Sequence, residues 1–513
     1  MDLQIDVEEL RGCEDRHSLH LRRLGIDTYQ EAVIYMRSDC YVCRSEGFES
    51  QSRILVQSNS RSVVATLNVV SNGLLAPGEA GLSEAAWRLL DAEEGGSVEL
   101  AHPPPLVSFN KVRAKIYGSY LEAEDYEQII RDIGAGHYSD LDIAAFLAAC
   151  AGDRLGQDEI INLTKAVINN GERISWRSSP IMDKHTFGGL PGNRTSLIVV
   201  PIVTAYGLMM PKISSRAITS PAGTADTMGT LAPVNLTLAE MRRVVDREGG
   251  CIVWDREFNL SPADDYLIRV ERALDLDCVG QMVASVLSKK VLAGSTHVVI
   301  DIPVDATARH RTFEAASPLG KLLALVGSSV GLEIHTIISD GSQPVGRGIG
   351  PSLEARDVLS VLRNEAGAPE DLRERALVLA GKIIEMSRTI PEGQGRQIAT
   401  QILMEGRAWQ KFLNICEGQG GFREPTRADF AQTIISQGDG IVTNINNRKL
   451  AQVAKLAGAP RAKSAGLELH VPAGQRVEAG QPIYTIHAET QRELDYALDY
   501  AGNTDGITAI EEV

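Results

Sequence analysis

The run "KHTFGGLPGNRTS", Lys184 to Ser196, sets a lysine and a histidine beside three glycines and a series of hydroxyls, with no acidic residue among them. Phosphate is held best by several backbone N–H groups, hydroxyl donors and one cation. Glycine lets a backbone approach an oxyanion without a Cβ in the way. Gly188, Gly189 and Gly192 suit that approach, Lys184 supplies the cation, and Thr186 and Ser196 supply hydroxyls. The apolar "SLIVVPIV" that follows reads as a buried element; as a helix it would aim its positive end at an anion. The run is not a Walker loop, because the GK[ST] ending is absent. A glycine-rich turn between two elements is the plainer reading of the same residues.

A second run, "SSRAITSPAGTAD" from Ser214 to Asp226, adds five hydroxyls with Arg216 and Gly223. Two such loops in one domain would complete a single anion site. Arg216 has two readings: a ligand contact, or a partner for a carboxylate such as Asp226 that holds the loop in shape.

Outward from these runs the chain divides into zones. From about residue 180 to 425, strand-like and helix-like stretches alternate, which predicts an α/β domain. "SLIVVPIVTAYG" and "THVVIDIP" suit buried strands or buried helices, which periodicity does not separate. Before them, up to about residue 180, the chain reads as helical, with Ser139 or Asp140 capping "LDIAAFLAAC" and Gly171 ending a later helix. Residues 1–105 read as a β-rich domain through "YVCRSEGF", "SRILVQSN" and "SVVATLNVV". Residues 426–513 form a barrel-like α+β module, with short strands around Gly474 and Gly480.

The 513 residues carry 51 Lys and Arg against 67 Asp and Glu, a net charge of −16. That charge opposes nonspecific nucleic-acid binding and gives no attraction to anionic membranes, so an anionic substrate needs a local basic or amide-lined site. The N-terminal stretch lacks the apolar core of a signal peptide, and no uninterrupted apolar run reaches about 18 residues. Cys40 and Cys43 form a CxxC without a second pair or an HxxxH, so two ordinary reduced thiols are a simpler reading than a zinc or redox site. No metal cluster is apparent. A cytoplasmic protein is the expectation.

The two runs resemble the phosphate loops of the thymidine and pyrimidine-nucleoside phosphorylases, which read approximately KHSTGG and SGRGxxxxGGTxD. The resemblance continues through "SPADDYLIRVERALDLDCVGQMVASVLSKKVLAG" and "SDGSQPVGRGIGPSLEAR" and covers roughly residues 120 to 500. The N-terminal extension resembles that of the longer branch, which includes archaeal AMP phosphorylases and bacterial proteins described as "putative thymidine phosphorylase". The resemblance implies phosphorolysis of a nucleoside, with inorganic phosphate as co-substrate, no cofactor and a homodimer or larger homo-oligomer. It implies a cleft between a discontinuous helical domain, residues 106–180 and 259–295, and a larger α/β domain with a mixed sheet, residues 181–258 and 296–425, that closes to exclude water, with hinges near residues 178–183, 256–262 and 293–297.

By matching position, Lys184, Thr186, Ser196, Ser214 and Thr224 would surround phosphate, and His185 would approach the base or sugar. Thr186 stands where the family usually has serine. Ser285 and Lys289 match pyrimidine contacts and, four apart, share one helix face. The AMP phosphorylase pattern claims Gly189, the run Ser215, Arg216, Ala217, Ile218, Thr219 and Ser220, then Thr224, Ser285 and a cation at Arg309. In that pattern Asp277 donates the proton to the departing purine; its plainer reading is a helix cap. Lys184 favours the nucleoside enzymes, since the archaeal branch often has an apolar residue there. Thymidine is therefore the expected substrate and AMP the alternative. More distant alternatives are an anthranilate-type phosphoribosyltransferase and a non-catalytic ligand-binding protein. The C-terminal module resembles a biotinyl or lipoyl carrier barrel, but "IHAET" holds no lysine at the attachment spot.

Overall fold

Six strands close into a barrel in the computed structural model of the protein: β1 (Ser18–Arg23), β2 (Val33–Arg37), β3 (Arg53–Ser58), β4 (Arg61–Val70), β5 (Glu79–Leu82) and β6 (Ser97–Ala101), in the order β1-β5-β2-β4-β3-β6. Alternation drives this: Leu19 and Leu21 of β1, like Ile54 and Val56 of β3, are buried at every second position and fill the barrel. Closure leaves no unpaired sheet edge. One stretch departs from the expected strands: Tyr41–Glu46 of "YVCRSEGF" is a short helix ended by Gly47 at φ 68°. Val42 is its only β-branched residue, and its burial alongside Cys43 suits one helical turn equally well.

The structure describes residues 18–58, 60–217, 220–258, 260–274, 276, 278–305 and 312–511. The chain forms two compact units, Met1–Arg154 with Ala263–Cys278, and Leu155–Pro262 with Val279–Val513. In the first unit, helix α1 (Asp140–Cys150) begins at Ser139, whose hydroxyl accepts the Asp142 N–H while the Asp142 carboxylate accepts the Ser139 N–H. Such a reciprocal box satisfies two amides that a helix start leaves free.

The second unit holds α2 (Gln157–Asn169), β7 (Met182–Thr186), α3 (Ser196–Tyr206), β8 (Met210–Ser214), α4 (Thr224–Leu231), β9 (Gly250–Trp254), α5 (Val279–Leu292), β10 (His297–Val304), β11 (Glu333–Asp340), α6 (Pro351–Leu362) and α7 (Glu370–Met386). Strands β11-β10-β7 pair in parallel, as do β8 and β9, and a parallel bridge from Ile181 to Met209 joins the two sets. In register, Thr186 lies opposite Asp301 and Ser214 opposite Trp254. Both runs therefore leave from the carboxyl ends of parallel strands, the edge at which open α/β sheets bind ligands. "SLIVVPIVTAY" is helical and buried along nearly its whole length, with Leu197 to Val203 in the main core against Val358, Leu377 and Phe412. A helix apolar all round is a core helix. The C-terminal residues build two antiparallel sheets, one of which takes in Gly348–Ile349, around a separate core. Among the described residues no helix is long and apolar enough to cross a membrane.

Candidate functional site

Strand β7 carries Asp183, Lys184, His185 and Thr186, whose side chains alternate between its two faces. Asp183 is 1% exposed and accepts from Lys212 Nζ at 2.9 Å and Lys290 Nζ at 2.7 Å. Burial favours its neutral form, but the two ammonium groups outweigh that and hold its carboxyl well below the usual range. Lys184, 2% exposed, donates to Thr186 Oγ1 at 2.6 Å and Thr195 Oγ1 at 2.7 Å. Burial lowers its pKa to about 7, with Asp301 acting the other way. His185 is held well below its ordinary value by desolvation and then by Lys290 and Lys212, so its imidazole is neutral. Asp301, fully buried, accepts from Ser339 Oγ at 2.5 Å and from Thr186, Asn193 and Arg375 at 3.4 Å.

The glycines shape the first ribbon. Gly192 has φ 73°, and a Cβ there would lie 2.1 Å from the Val345 carbonyl oxygen, so no side chain fits. Gly188 has φ 99° and, like Gly189, is exposed. In the second ribbon, a Cβ on Gly223 would meet Ala217 N at 2.5 Å. Asp226 holds this loop from within, accepting from Ala217 N at 2.6 Å and Gly223 N at 3.0 Å. Arg216 reaches Asp226 only at 3.9 Å and lies 4.2 Å from the centre of the Trp254 ring. The loop's shape thus rests on carboxylate-to-amide bonds more than on Arg216. Ser220 Oγ donates to Ala222 O at 2.8 Å.

The ribbons meet. Arg194 of the first donates through Nε to Glu354 at 2.5 Å and through Nη2 to Ala222 O of the second at 2.8 Å. Thr227 of α4 donates to the same Glu354 oxygen at 2.8 Å. Ser196 and Thr224 are the first residues of α3 and α4, and Ser214 ends β8. The hydroxyls of Ser196, Ser214, Ser215 and Thr224 make no hydrogen bond among the described residues. Helix N-termini with free hydroxyl donors form a setting for an oxyanion, and Lys184 reaches the first of them through Thr195, next to Ser196.

Ser285 and Lys289 lie on α5, both half-buried, and the next residue, Lys290, is the one that reaches Asp183. Arg269, one of two arginines just before α5, pairs with Asp140 in the first unit. Ile218, Thr219, Asp277 and Arg309 lie outside the described residues. Sequence reasoning missed Asp183, Thr195, Lys212, Lys290, Asp301 and the Arg194–Glu354 pair. Asp183, Thr195 and Lys290 each adjoin a residue that the motifs single out, and Arg194 lies within the first run; Lys212, Asp301 and Glu354 carry no local signal, because their partners are remote in sequence.

Residues 178–409 match the glycosyl transferase family a/b domain, residues 111–171 that family's helical bundle domain, and residues 441–507 the pyrimidine nucleoside phosphorylase C-terminal domain. A Polaromonas sp. protein described as "Putative thymidine phosphorylase" is 59% identical over 95% of each chain. A Legionella pneumophila (strain Corby) protein with the same description is 57% identical over 97% of this chain and 96% of its own. Among solved structures, anthranilate phosphoribosyltransferase from Thermus thermophilus is 19% identical, with a TM-score of 0.49 over 60% of this chain and 98% of that one, too distant to bear on activity. The chain belongs to the thymidine and pyrimidine-nucleoside phosphorylase family of pentosyltransferases.

Proposed function

We propose that this chain catalyses phosphorolysis of thymidine to thymine and 2-deoxyribose 1-phosphate. A phosphate oxygen attacks the anomeric carbon as the C–N bond breaks, and the bond's electron pair leaves with the base, which takes up a proton. The enzyme must hold phosphate on one face of the sugar and stabilise the departing base. The carrying observation is the set of hydroxyls on Ser196, Ser214 and Thr224 with no protein partner among the described residues, at strand and helix ends of the two ribbons, with Ser196 next to the Thr195 that Lys184 holds. Lys184 and Thr186 complete the phosphate grip. Neutral His185 is a hydrogen-bonding group for base or sugar, and Ser285 with Lys289 addresses the base. Inorganic phosphate is the co-substrate and no cofactor is needed.

AMP phosphorolysis to adenine and ribose 1,5-bisphosphate is the second reading, carried by the match of Gly189, Ser215 to Ser220, Thr224 and Ser285 to that branch. Lys184 weighs against it. The test is the full chain with thymidine, uridine, cytidine or AMP, each with and without phosphate, scored by chromatography for free base and sugar phosphate. Thymidine cleavage that requires phosphate is expected. Preferential cleavage of AMP selects the second reading, and base release without phosphate refutes both.

A further inference from the structure

Three stretches of the second unit, one of them the second ribbon at Arg216, bring cations to one place. A cavity of about 330 Å³ is lined by Arg216, Arg423, Arg461 and Lys463, with Asp226 as its one carboxylate and Pro233 and Val234 on its apolar side. Its volume falls at the small end of pockets that hold small molecules. The cavity lies along the face of α4 that presents Ala225, Asp226 and Gly229, whereas Thr227, on the opposite face, is bonded to Glu354. The side chains of Arg423, Arg461 and Lys463 are exposed and make no hydrogen bond or ion pair among the described residues. Arg216 has only the 3.9 Å approach to Asp226. In a chain of net charge −16, acidic partners are plentiful, yet these cations converge with one carboxylate among them. Like charges gathered at one spot repel, and a bound polyanion relieves that repulsion.

We propose that this cavity is a second anion site, separate from the Lys184 ribbon, that binds a small molecule bearing a diphosphate group. Three guanidinium groups and one ammonium match several phosphate oxygens through paired donors. The apolar side leaves room for an organic group on that diphosphate. The assignment does not depend on the nucleoside reading. It also gives Arg216 a role that its stacking on Trp254 allows: the guanidinium turns its donors to the cavity while the indole supports its face.

The test is calorimetric titration of the full chain with inorganic pyrophosphate and, separately, with a nucleoside diphosphate. Because pyrophosphate also has access to the ribbon site, the titrations are repeated on Lys184→Ala. Binding is expected to persist in Lys184→Ala and to weaken about tenfold or more in the double variant Arg461→Ser/Lys463→Ser. Arg423→Ser, made alone, is expected to weaken it severalfold and supplies a second reading if the double variant folds poorly. Tighter binding of the nucleoside diphosphate would place the organic group on the apolar side; equal binding would assign the site to the phosphates alone. The proposal is overturned if neither probe binds, if Lys184→Ala abolishes binding, or if the cavity variants bind within twofold of the parent.

Discussion

Two layers of interaction, told apart by partnership, are built on β7, β8 and the helices around them. In the lower layer each charge meets an opposite one: Asp183 accepts from Lys212 and Lys290 together, and Glu354 holds Arg194 with Thr227. In the upper layer Ser196, Ser214 and Thr224 keep their hydroxyls unbonded among the described residues, and Lys184 donates to the hydroxyls of Thr186 and Thr195. Burial alone does not separate them, since Lys184 and Asp183 are 2% and 1% exposed. Partnership does. A buried charge with its counter-charge is architecture, whereas hydroxyls without a protein partner at strand and helix ends suit an anion from outside.

The contrast can be broken at several points, beginning with the largest effect. Asp183→Ala strands two buried ammonium groups and is expected to cost about 3–5 kcal/mol of stability, read from urea unfolding. A loss below about 1 kcal/mol would show that the lower layer is not structural. Lys184→Ala should lower kcat/KM for phosphate by about 2–4 kcal/mol while leaving the unfolding midpoint unchanged or higher. The sign follows from its pKa. Lys184 falls to about 7 in the folded chain from 10.5, so between those values the unfolded chain binds more protons and stability rises with pH. Removing the lysine therefore relieves the folded state, and a large drop in midpoint would move Lys184 into the lower layer.

Smaller effects sharpen the picture. Ser214→Ala and Thr224→Val should each weaken phosphate use by about 1 kcal/mol and leave stability within about 0.5 kcal/mol, because no protein bond is lost. Equal losses in both measurements would contradict the unbonded state. Phosphate KM should climb as pH rises through about 7, where Lys184 loses its proton. The phosphate dianion becomes more abundant over the same range and acts in the opposite sense, so the direction is informative. Lys184→Arg, whose side chain stays charged, should flatten the profile if it retains activity. Last, Ser285→Ala should alter the preference among bases by less than about tenfold, seen in competing-substrate assays.

Both ribbons are legible in the sequence because glycine, lysine and hydroxyl types announce themselves locally. The Ser139 cap is legible for the same reason. The lower layer is not. Lys212 looks like any strand residue in "MPKIS" until the fold sets it against Asp183, and Glu354 belongs to an ordinary helical stretch. The helix Tyr41–Glu46 reads as strand because one valine beside cysteines carries no clear period. For α3, an unbroken apolar run fits helix or strand equally, and Pro201 within it gives no clean stop.

The shared grip of Glu354 on Arg194 and on Thr227 has one more consequence. Neither loop can slacken without loosening the carboxylate that steadies the other, so the two should open together, with their amides exchanging hydrogen in one kinetic phase. The ordering entropy of the cradle is then met when the chain folds, and an incoming anion finds its donors already in place.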